Sequence, residues 1–342
     1  MLLLAISPAG LCRPKFRVPG SPPGLGASMS ALHSAAEAAA EQQSRLRKLP
    51  PGTVPETSAA AAAEASPAAV HLVGVGPGDV ELLTVKALRL MQTADLLLYD
   101  RLISPEVLSL VNPDAAMLYV GKEAGLHTRP QDEIHRLMLA FASSGRTVVR
   151  LKGGDPTVFG RGGEELEYLE QQGVPVHIVP GVTAAAGIAA GLGVPLTHRD
   201  HADSVRFVTG HARSECTASV EERYHWAALA DEKTTLVIYM GLSTLPELAQ
   251  GLLDAGMPHD IPAVAVQDGT TPTQRVVQAP LDGLADEVVR EELRSPTLII
   301  IGHVVSLLEQ RGCAPGEIVS NFDASQAVSS DEVLEILARV EA

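Results

Sequence analysis

The chain has 342 residues, 46% of them hydrophobic, which is enough to bury the core of one large domain or two ordinary ones. Its three cysteines are widely spaced and include no C-x-x-C pair, which excludes a disulfide scaffold and argues against a thiolate zinc site. A formal charge of −15 and an aromatic content of 3% argue against a nucleic-acid partner, and no apolar run is long enough to span a membrane.

The first 68 residues differ in composition from the rest of the chain. Pro, Ser, Gly and Ala predominate, and basic residues outnumber acidic ones, whereas the remainder is strongly acidic. A Ser-rich, mildly basic and acid-poor leader is typical of an organelle transit peptide. We predict a transit peptide over residues 1–68, and a disordered extension with no targeting role is the alternative.

From residue 69 onward, short apolar runs alternate with segments of helical periodicity. In the first half we predict strands at 69–76, 96–99, 147–151 and 174–179, and helices at 82–94, 131–143, 163–172 and 183–190. In the second half we predict strands at 205–209, 235–239, 263–266 and 298–301, and helices at 242–255 and 281–293. This alternation predicts α/β layers with a largely parallel sheet.

The predicted strands fall into two groups, one before and one after about residue 183. We therefore predict two α/β domains, over residues 69–183 and 184–312, with a cleft between them. An acidic, weakly patterned tail follows at residues 313–342.

Glycine-rich turns follow two predicted strands, at the strand ends where ligands bind in α/β sheets. The turn at Gly74–Asp79 begins as Gly-x-Gly but lacks the third glycine of a dinucleotide-binding fingerprint, and Pro77 removes an amide donor. The turn at Arg150–Pro156 has two adjacent glycines that let a ligand approach the backbone, and its Asp155 can accept hydrogen bonds. The two turns predict a small-molecule site, for which an NAD-dependent oxidoreductase is a poorly fitting alternative.

Three further motifs are shorter. In Gly160–Glu165, glycines flank Arg161 on both sides. We expect the two glutamates to lie in solvent in the first turn of a helix. Pro180–Ala185 opens a helix with small residues that present amide donors. Tyr239–Gly241 lies at another strand end.

In this order and spacing, the motifs resemble those of the tetrapyrrole methylases, a superfamily of S-adenosylmethionine (SAM) methyltransferases. The stretches that carry the resemblance are Gly74–Asp79, Tyr99–Leu102, Val120–Lys122, Arg150–Pro156, Gly160–Glu165, Pro180–Ala185, Pro195–Arg199, Ser204–His211, Tyr239–Gly241 and Ser295–Thr297. The resemblance is greatest to the members that methylate uroporphyrinogen III at carbons 2 and 7, which give precorrin-2 by way of precorrin-1 for sirohaem. It implies the two-domain α/β fold of that family, with the active site in the cleft.

The resemblance also implies the roles of particular residues. SAM, the methyl donor, would contact Pro77, Gly153, Gly154, Asp155, Val158, Thr183, Ala184, Met240 and Gly269. Asp100 would be a proton acceptor and Lys122 a proton donor. For Asp100 the alternative is a salt bridge with Arg101, and for Lys122 it is an ordinary surface position. No metal is implied.

Uroporphyrinogen III carries eight carboxylates, so a site for it needs cationic partners. Guanidinium groups suit bidentate binding of carboxylates. The candidate arginines, each in a loop that matches the family, are Arg101, Arg129, Arg161, Arg199 and Arg206.

The chain departs from the family pattern in two places. The stretch 212–225 is longer than we expect, and no dehydrogenase and ferrochelatase module precedes the matching region, so we expect the reaction to stop at precorrin-2. The resemblance further implies a homodimer, and a chloroplast location fits it, with mitochondrion or cytoplasm as alternatives. Alternative functions are methylation of a later precorrin, of diphthine or of ribosomal RNA, and a non-catalytic module that binds SAM or a nucleotide.

Overall fold

The two predicted groups of strands form two separate five-stranded sheets. The computed structural model describes residues 67–121, 130–210 and 224–311, so the leader, the acidic tail and the long stretch at 212–225 lie almost wholly outside the described residues. The strands of the first sheet are β1 (Val70–Gly74), β2 (Leu96–Tyr99), β3 (Ala116–Tyr119), β4 (Val148–Lys152) and β5 (Val176–Val179). They are all parallel, in the order β3–β2–β4–β1–β5.

Helices cover both faces of the first sheet. They are α1 (Val85–Thr93), α2 (Pro105–Ser109), α3 (Gln131–Ser143) and α4 (Gly162–Gln171), with a 3-10 turn at Val80–Leu82. Helices α1 and α2 pack on one face and α3 and α4 on the other, which explains why the central strands are apolar throughout. Helix α1 begins later than predicted because the Thr84 hydroxyl accepts a hydrogen bond from the Ala87 amide and caps it there.

The second sheet is mixed. Its strands are β6 (Ser204–Thr209), β7 (Thr234–Tyr239), β8 (Pro262–Gln267), β9 (Arg275–Pro280) and β10 (Thr297–Ile301), in the order β6–β7–β10–β8–β9. Only β6 and β7 pair in parallel, so the prediction of a largely parallel sheet is wrong for this half. The physical reason is the short connection 268–274, which can join β8 to β9 only as an antiparallel pair, since a parallel pair needs a longer crossover.

The helices associated with the second sheet are α5 (Ala184–Leu192), α6 (Trp226–Leu229), α7 (Leu245–Asp254) and α8 (Leu281–Arg290), with 3-10 segments at Leu242–Thr244 and His303–Arg311. Ile188 and Leu192 of α5 lie in one hydrophobic cluster with residues of β7, β8 and β10. Helices α6, α7 and α8 contribute to the cluster on the opposite face. Helix α5 therefore belongs to the second sheet by its packing, although it follows the last strand of the first.

The predicted α/β class is confirmed, and every predicted strand is present, with small shifts at the ends. Strands β3 and β9 and helices α2 and α6 were not predicted. Helices α2 and α6 have only five and four residues, and β3 has four with little alternation between buried and exposed positions, so neither length nor periodicity marked them. Strand β9 has six residues, and its polar Gln278 interrupts the apolar run. Within the described residues, no helix has both the length and the apolar character needed to cross a membrane.

A partly buried histidine lies in the first sheet. His71 of β1 pairs in register with His177 of β5, and their ring centroids are 5.2 Å apart. The Nδ1 atom of His71 is buried without a hydrogen-bond partner among the described residues. Burial, followed by the charges of His177 and Lys86, lowers the pKa of His71 below its usual value. The folded protein therefore holds this imidazole neutral at pH values where an unfolded chain binds a proton.

Because the unfolded state binds this proton more readily, we expect the free energy of unfolding to fall as pH drops through about 6.5. In His71→Leu this part of the pH dependence should be weaker by up to about 1.4 kcal/mol per pH unit. Urea unfolding between pH 5.5 and 8 measures it. His259→Gln, at an exposed position, is the control. Equal slopes in wild type and His71→Leu would contradict the assignment.

Candidate active site

Three turns meet backbone to backbone at the carboxyl ends of β1, β4 and β5. The Gly154 amide donates to the Gly76 carbonyl at 2.7 Å, and the Gly76 amide donates back to the Gly154 carbonyl at 3.3 Å. Both glycines have positive φ, of 75° at Gly76 and 70° at Gly154. After β5, a Cβ atom on Gly181 would lie 2.7 Å from the carbonyl carbon of Gly74, so only glycine fits there.

Asp155 ties two of these turns together. One carboxylate oxygen accepts the Gly181 amide at 3.1 Å, and the other accepts the amide and the hydroxyl of Thr157, at 2.7 and 2.5 Å. Both oxygens are thus engaged by the protein. Asp155 thus lies among the turns at the strand ends, and its hydrogen bonds fix the shape of these turns.

Tyr239 joins the first sheet's turns to the second sheet. Its hydroxyl lies 2.5 Å from the Thr183 hydroxyl and accepts a hydrogen bond from the Ala185 amide at 3.1 Å. The Thr183 side chain therefore makes no capping hydrogen bond at the start of α5, so amides of the first helical turn can bind other groups. Burial raises the pKa of Tyr239, so the phenol stays neutral.

The loop between β8 and β9 closes over the first turn from the other side. The Thr270 hydroxyl accepts the Asp79 amide at 3.3 Å. A Cβ atom on Gly187 of α5 would lie 2.7 Å from Cγ of Pro77, and a Cβ atom on Gly269 would overlap the Ile188 side chain. Pro77 and Gly269 are far apart in the sequence but were predicted to contact the same ligand. In the structure, both pack against α5.

Four large apolar side chains are exposed around these turns. We name them the apolar rim: Leu102, Phe159, Phe207 and Met240, which are between 38% and 50% exposed. The rings of Phe159 and Phe207 lie 5.0 and 5.8 Å from the ring of Tyr239. A chain with few aromatic residues exposes two phenylalanines at one place, which indicates a surface that contacts a ligand.

Of the apolar rim, only Met240 was among the residues predicted to contact a ligand. Leu102 and Phe207 lie inside stretches that carried the resemblance, and Phe159 directly precedes another, so their positions in those motifs were the available signal. Leu102 packs against the turn after β4, because a Cβ atom built on Gly153 would lie 3.1 Å from the Cβ atom of Leu102.

Asp100, at the end of β2, is the partly exposed end of a buried group of charges. One oxygen accepts the Arg150 guanidinium at 2.9 Å, and the other accepts the Leu102 amide at 3.0 Å. The Asp100 side chain is 23% exposed and that of Arg150 only 5%. The salt bridge of Asp100 is therefore with Arg150, and the alternative of a bridge to Arg101 is wrong.

Glu165 lies at the centre of this group. Its side chain is fully buried, 2.9 Å from the Lys152 ammonium, 3.6 Å from Nε of Arg150 and 3.0 Å from the Gln131 side-chain amide. Burial lowers the pKa of Lys152, and the charge of Glu165 opposes that change. The expectation of a solvated glutamate pair holds for exposed Glu164 and is wrong for Glu165, because Glu165 shares the inward face of α4 with Leu169.

The predicted ligand contacts all lie at strand ends of the two sheets. Pro77 follows β1; Gly153, Gly154, Asp155 and Val158 follow β4; Thr183 and Ala184 follow β5; Met240 follows β7; Gly269 follows β8. Lys122 and Arg129 lie outside the described residues. The described residues include no group of three or more His, Cys, Asp or Glu that could hold a metal ion.

The remaining predicted arginines divide into two kinds. Arg101 and Arg199 are exposed, and Arg161, also exposed, holds Glu164 at 2.6 Å. Arg206 is exposed too, but it differs because its guanidinium donates a hydrogen bond to the Ala228 carbonyl of α6. On β6 it alternates with Val205 and Phe207, so it faces the opposite side of the sheet from Tyr239, and the structure does not bring it to the site.

Known proteins resemble this chain in sequence. The family model described as Tetrapyrrole (Corrin/Porphyrin) Methylases matches residues 69–285. The chain is 62% identical over 244 residues to the S-adenosyl-L-methionine-dependent uroporphyrinogen III methyltransferase, chloroplastic, of Arabidopsis thaliana, covering 71% of this chain and 65% of that protein. It is 53% identical over 241 residues to siroheme synthase 2 of Yersinia enterocolitica, covering 70% and 49%. The chain thus spans less than two thirds of either relative's length.

Solved structures share the fold. The uroporphyrin-III C-methyl transferase of Thermus thermophilus complexed with S-adenyl homocysteine is 42% identical, with a TM-score of 0.59 over 70% of this chain and 93% of that one. A cobalt precorrin-4 methyltransferase is 30% identical, with a TM-score of 0.61 over 69% and 95%. The fold that the sequence resemblance implied is confirmed.

The close packing of the turns predicts a strong effect of one methyl group. We expect Gly181→Ala to lower the free energy of unfolding by about 1–3 kcal/mol, because the new Cβ overlaps the backbone at Gly74 and Gly154, which cannot move aside. Gly163→Ala, where a Cβ meets nothing within 4 Å, is the control. Thermal and urea unfolding compare them, and equal stability of the two variants would contradict the packing argument.

Proposed function

We propose a methyl-transfer reaction for this chain, which belongs to the tetrapyrrole (corrin/porphyrin) methylase family. The reaction moves methyl groups from SAM to carbons 2 and 7 of uroporphyrinogen III and gives precorrin-2 by way of precorrin-1, a step of sirohaem synthesis. The observation that carries the proposal is that glycine turns, an apolar rim and a partly exposed carboxylate occupy the same strand ends. The similarity to a uroporphyrinogen III methyltransferase and to a siroheme synthase supports it.

The residues at the strand ends fit SAM. Turns without side chains at Gly153 and Gly154 allow close approach of a ligand to the backbone. The amino end of α5, at Ala184, suits the carboxylate of the methionyl group. SAM supplies an already activated sulfonium methyl group, so the protein needs to orient the acceptor and exclude water.

The apolar rim and the arginines suit the two chemical parts of uroporphyrinogen III. Four pyrrole rings form its apolar body, and the apolar rim offers exposed aliphatic and aromatic side chains beside Tyr239. Arg101, Arg161 and Arg199 are the exposed cations that we assign to its carboxylates. Arg129 stays a prediction, and Arg206 is left out because it binds α6.

Asp100 is the residue that we assign to the charge that develops in the acceptor. Attack by a pyrrole carbon leaves positive charge on the ring, which a nearby carboxylate stabilises before the ring loses a proton. The Asp100 carboxylate is held on both oxygens and still 23% exposed, which suits that role and acceptance of the proton. The role of Lys122 as proton donor stays a prediction.

The assembly and location of the protein follow from the resemblance. We propose a homodimer that takes a small-molecule substrate, with no nucleic-acid or membrane partner. The leader's composition and the relative named chloroplastic support transport into the chloroplast.

Methyl transfer is tested directly by incubating the full chain with labelled SAM and anaerobically prepared uroporphyrinogen III. We expect a product that has gained two methyl groups, because the chain is proposed to act at carbons 2 and 7. Mass spectrometry and absorbance identify precorrin-2. Binding of S-adenosylhomocysteine without transfer to this substrate would contradict the substrate, and absence of that binding would contradict the whole proposal.

The assignment of the arginines gives a separate prediction. We expect Arg199→Met to raise KM for uroporphyrinogen III about tenfold, because a charge-assisted hydrogen bond is lost, while the affinity for S-adenosylhomocysteine stays the same. Arg146→Met is the control, since Arg146 is also exposed but precedes β4 at the opposite edge of the sheet. Equal KM values for the two variants would remove Arg199 from the site.

A further inference from the structure

We propose that Glu165 is a positioning residue, which orients Asp100 by holding the guanidinium of Arg150. The inference rests on the proposed function, because that function assigns Asp100 to the charge and the proton of the acceptor. Glu165 itself is fully buried inside the first α/β layer, so it acts only through the groups it touches.

Four charges of alternating sign lead from the interior to the site. They are Lys152, Glu165, Arg150 and Asp100, joined at 2.9, 3.6 and 2.9 Å. The first three side chains are at most 6% exposed, and only Asp100 reaches solvent. The group also connects four elements. Asp100 directly follows β2, Arg150 and Lys152 lie on β4, and Glu165 lies on α4, where the Gln131 side chain of α3 donates a hydrogen bond to it.

The guanidinium of Arg150 is held on three sides. One terminal nitrogen donates to Asp100, and the other donates to the Leu151 carbonyl at 2.7 Å. The remaining nitrogen, Nε, has no hydrogen bond among the described residues and faces a carboxylate oxygen of Glu165. The negative charge of Glu165 on the Nε side thus favours the orientation in which a terminal nitrogen of the same guanidinium faces Asp100.

Stability alone gives little reason for such a group of charges. Burying ions carries a desolvation penalty, and replacing a buried ion pair by apolar side chains of similar size is often neutral or stabilising. The sequence nevertheless places two cations on a central strand and one glutamate beneath them. Orientation of the exposed carboxylate is a task that apolar side chains cannot perform.

The turns assigned to SAM are held by other contacts. Gly76, Gly154 and Gly181 are fixed by backbone packing and by Asp155, and none of these contacts includes the Glu165 side chain. A change at Glu165 should therefore act on the acceptor side of the reaction and leave SAM affinity intact.

The test compares Glu165→Gln with Glu170→Gln, at an exposed position of the same helix. For each full-length variant, calorimetry gives the affinity and the number of sites for S-adenosylhomocysteine, and kcat is expressed per site. We expect Glu165→Gln to lose about 10- to 100-fold in kcat, as expected for a displaced reacting group, with an unchanged affinity for S-adenosylhomocysteine. We expect Glu170→Gln to equal wild type in both.

A double variant, Glu165→Gln with Lys152→Met, separates positioning from folding. It removes the ammonium that would otherwise be buried without its carboxylate, so it should unfold close to the wild-type temperature. Since Arg150 still lacks its counter-ion, we expect kcat to stay low. Recovery of kcat in the double variant, or an unchanged kcat in Glu165→Gln, would overturn the inference alone. A wild-type chain that transfers no methyl group would instead contradict the proposed function, and this inference with it.

Discussion

The contact between three glycine turns is the constraint on which the site depends. Strand order β4–β1–β5 brings the turns after these strands side by side, and their backbones touch because Gly74 and Gly181 carry no Cβ atom. Two hydrogen bonds between Gly76 and Gly154 close the contact. Backbone groups so placed have few rotational degrees of freedom, so a ligand can bind them with little further loss of entropy.

The second sheet completes the site through a small number of polar and apolar contacts. A single phenol, that of Tyr239, bonds the Thr183 hydroxyl and the Ala185 amide, and the loop at Thr270 bonds the turn after β1. The same tyrosine is flanked by Phe159 from the first half of the chain and Phe207 from the second. The elements that join the two halves therefore also form the exposed apolar surface that we assign to the tetrapyrrole.

The buried charges on β4 and α4 have a different role from the glycine turns. Backbone packing and the Asp155 carboxylate shape the glycine turns that we assign to SAM. The side that we assign to the acceptor depends on Asp100, which binds Arg150, and Arg150 in turn faces Glu165. A buried guanidinium such as that of Arg150 is costly without counter-ions, and Asp100 and Glu165 supply them on two sides. Separating the two sides lets each substrate be held by interactions suited to it.

The sequence by itself determined the α/β class, the order of the longer elements and the glycine turns at the strand ends, because periodicity and Gly-Pro spacing are local properties. It also identified the family, and the predicted ligand contacts follow strands of the two sheets. Only the tertiary structure decided that β9 makes the second sheet mixed, that Asp100 pairs with Arg150, that Glu165 is buried and that Arg206 faces α6. Each of these depends on which residues lie across a sheet or beneath a helix, and such distant neighbours leave no mark on the local pattern.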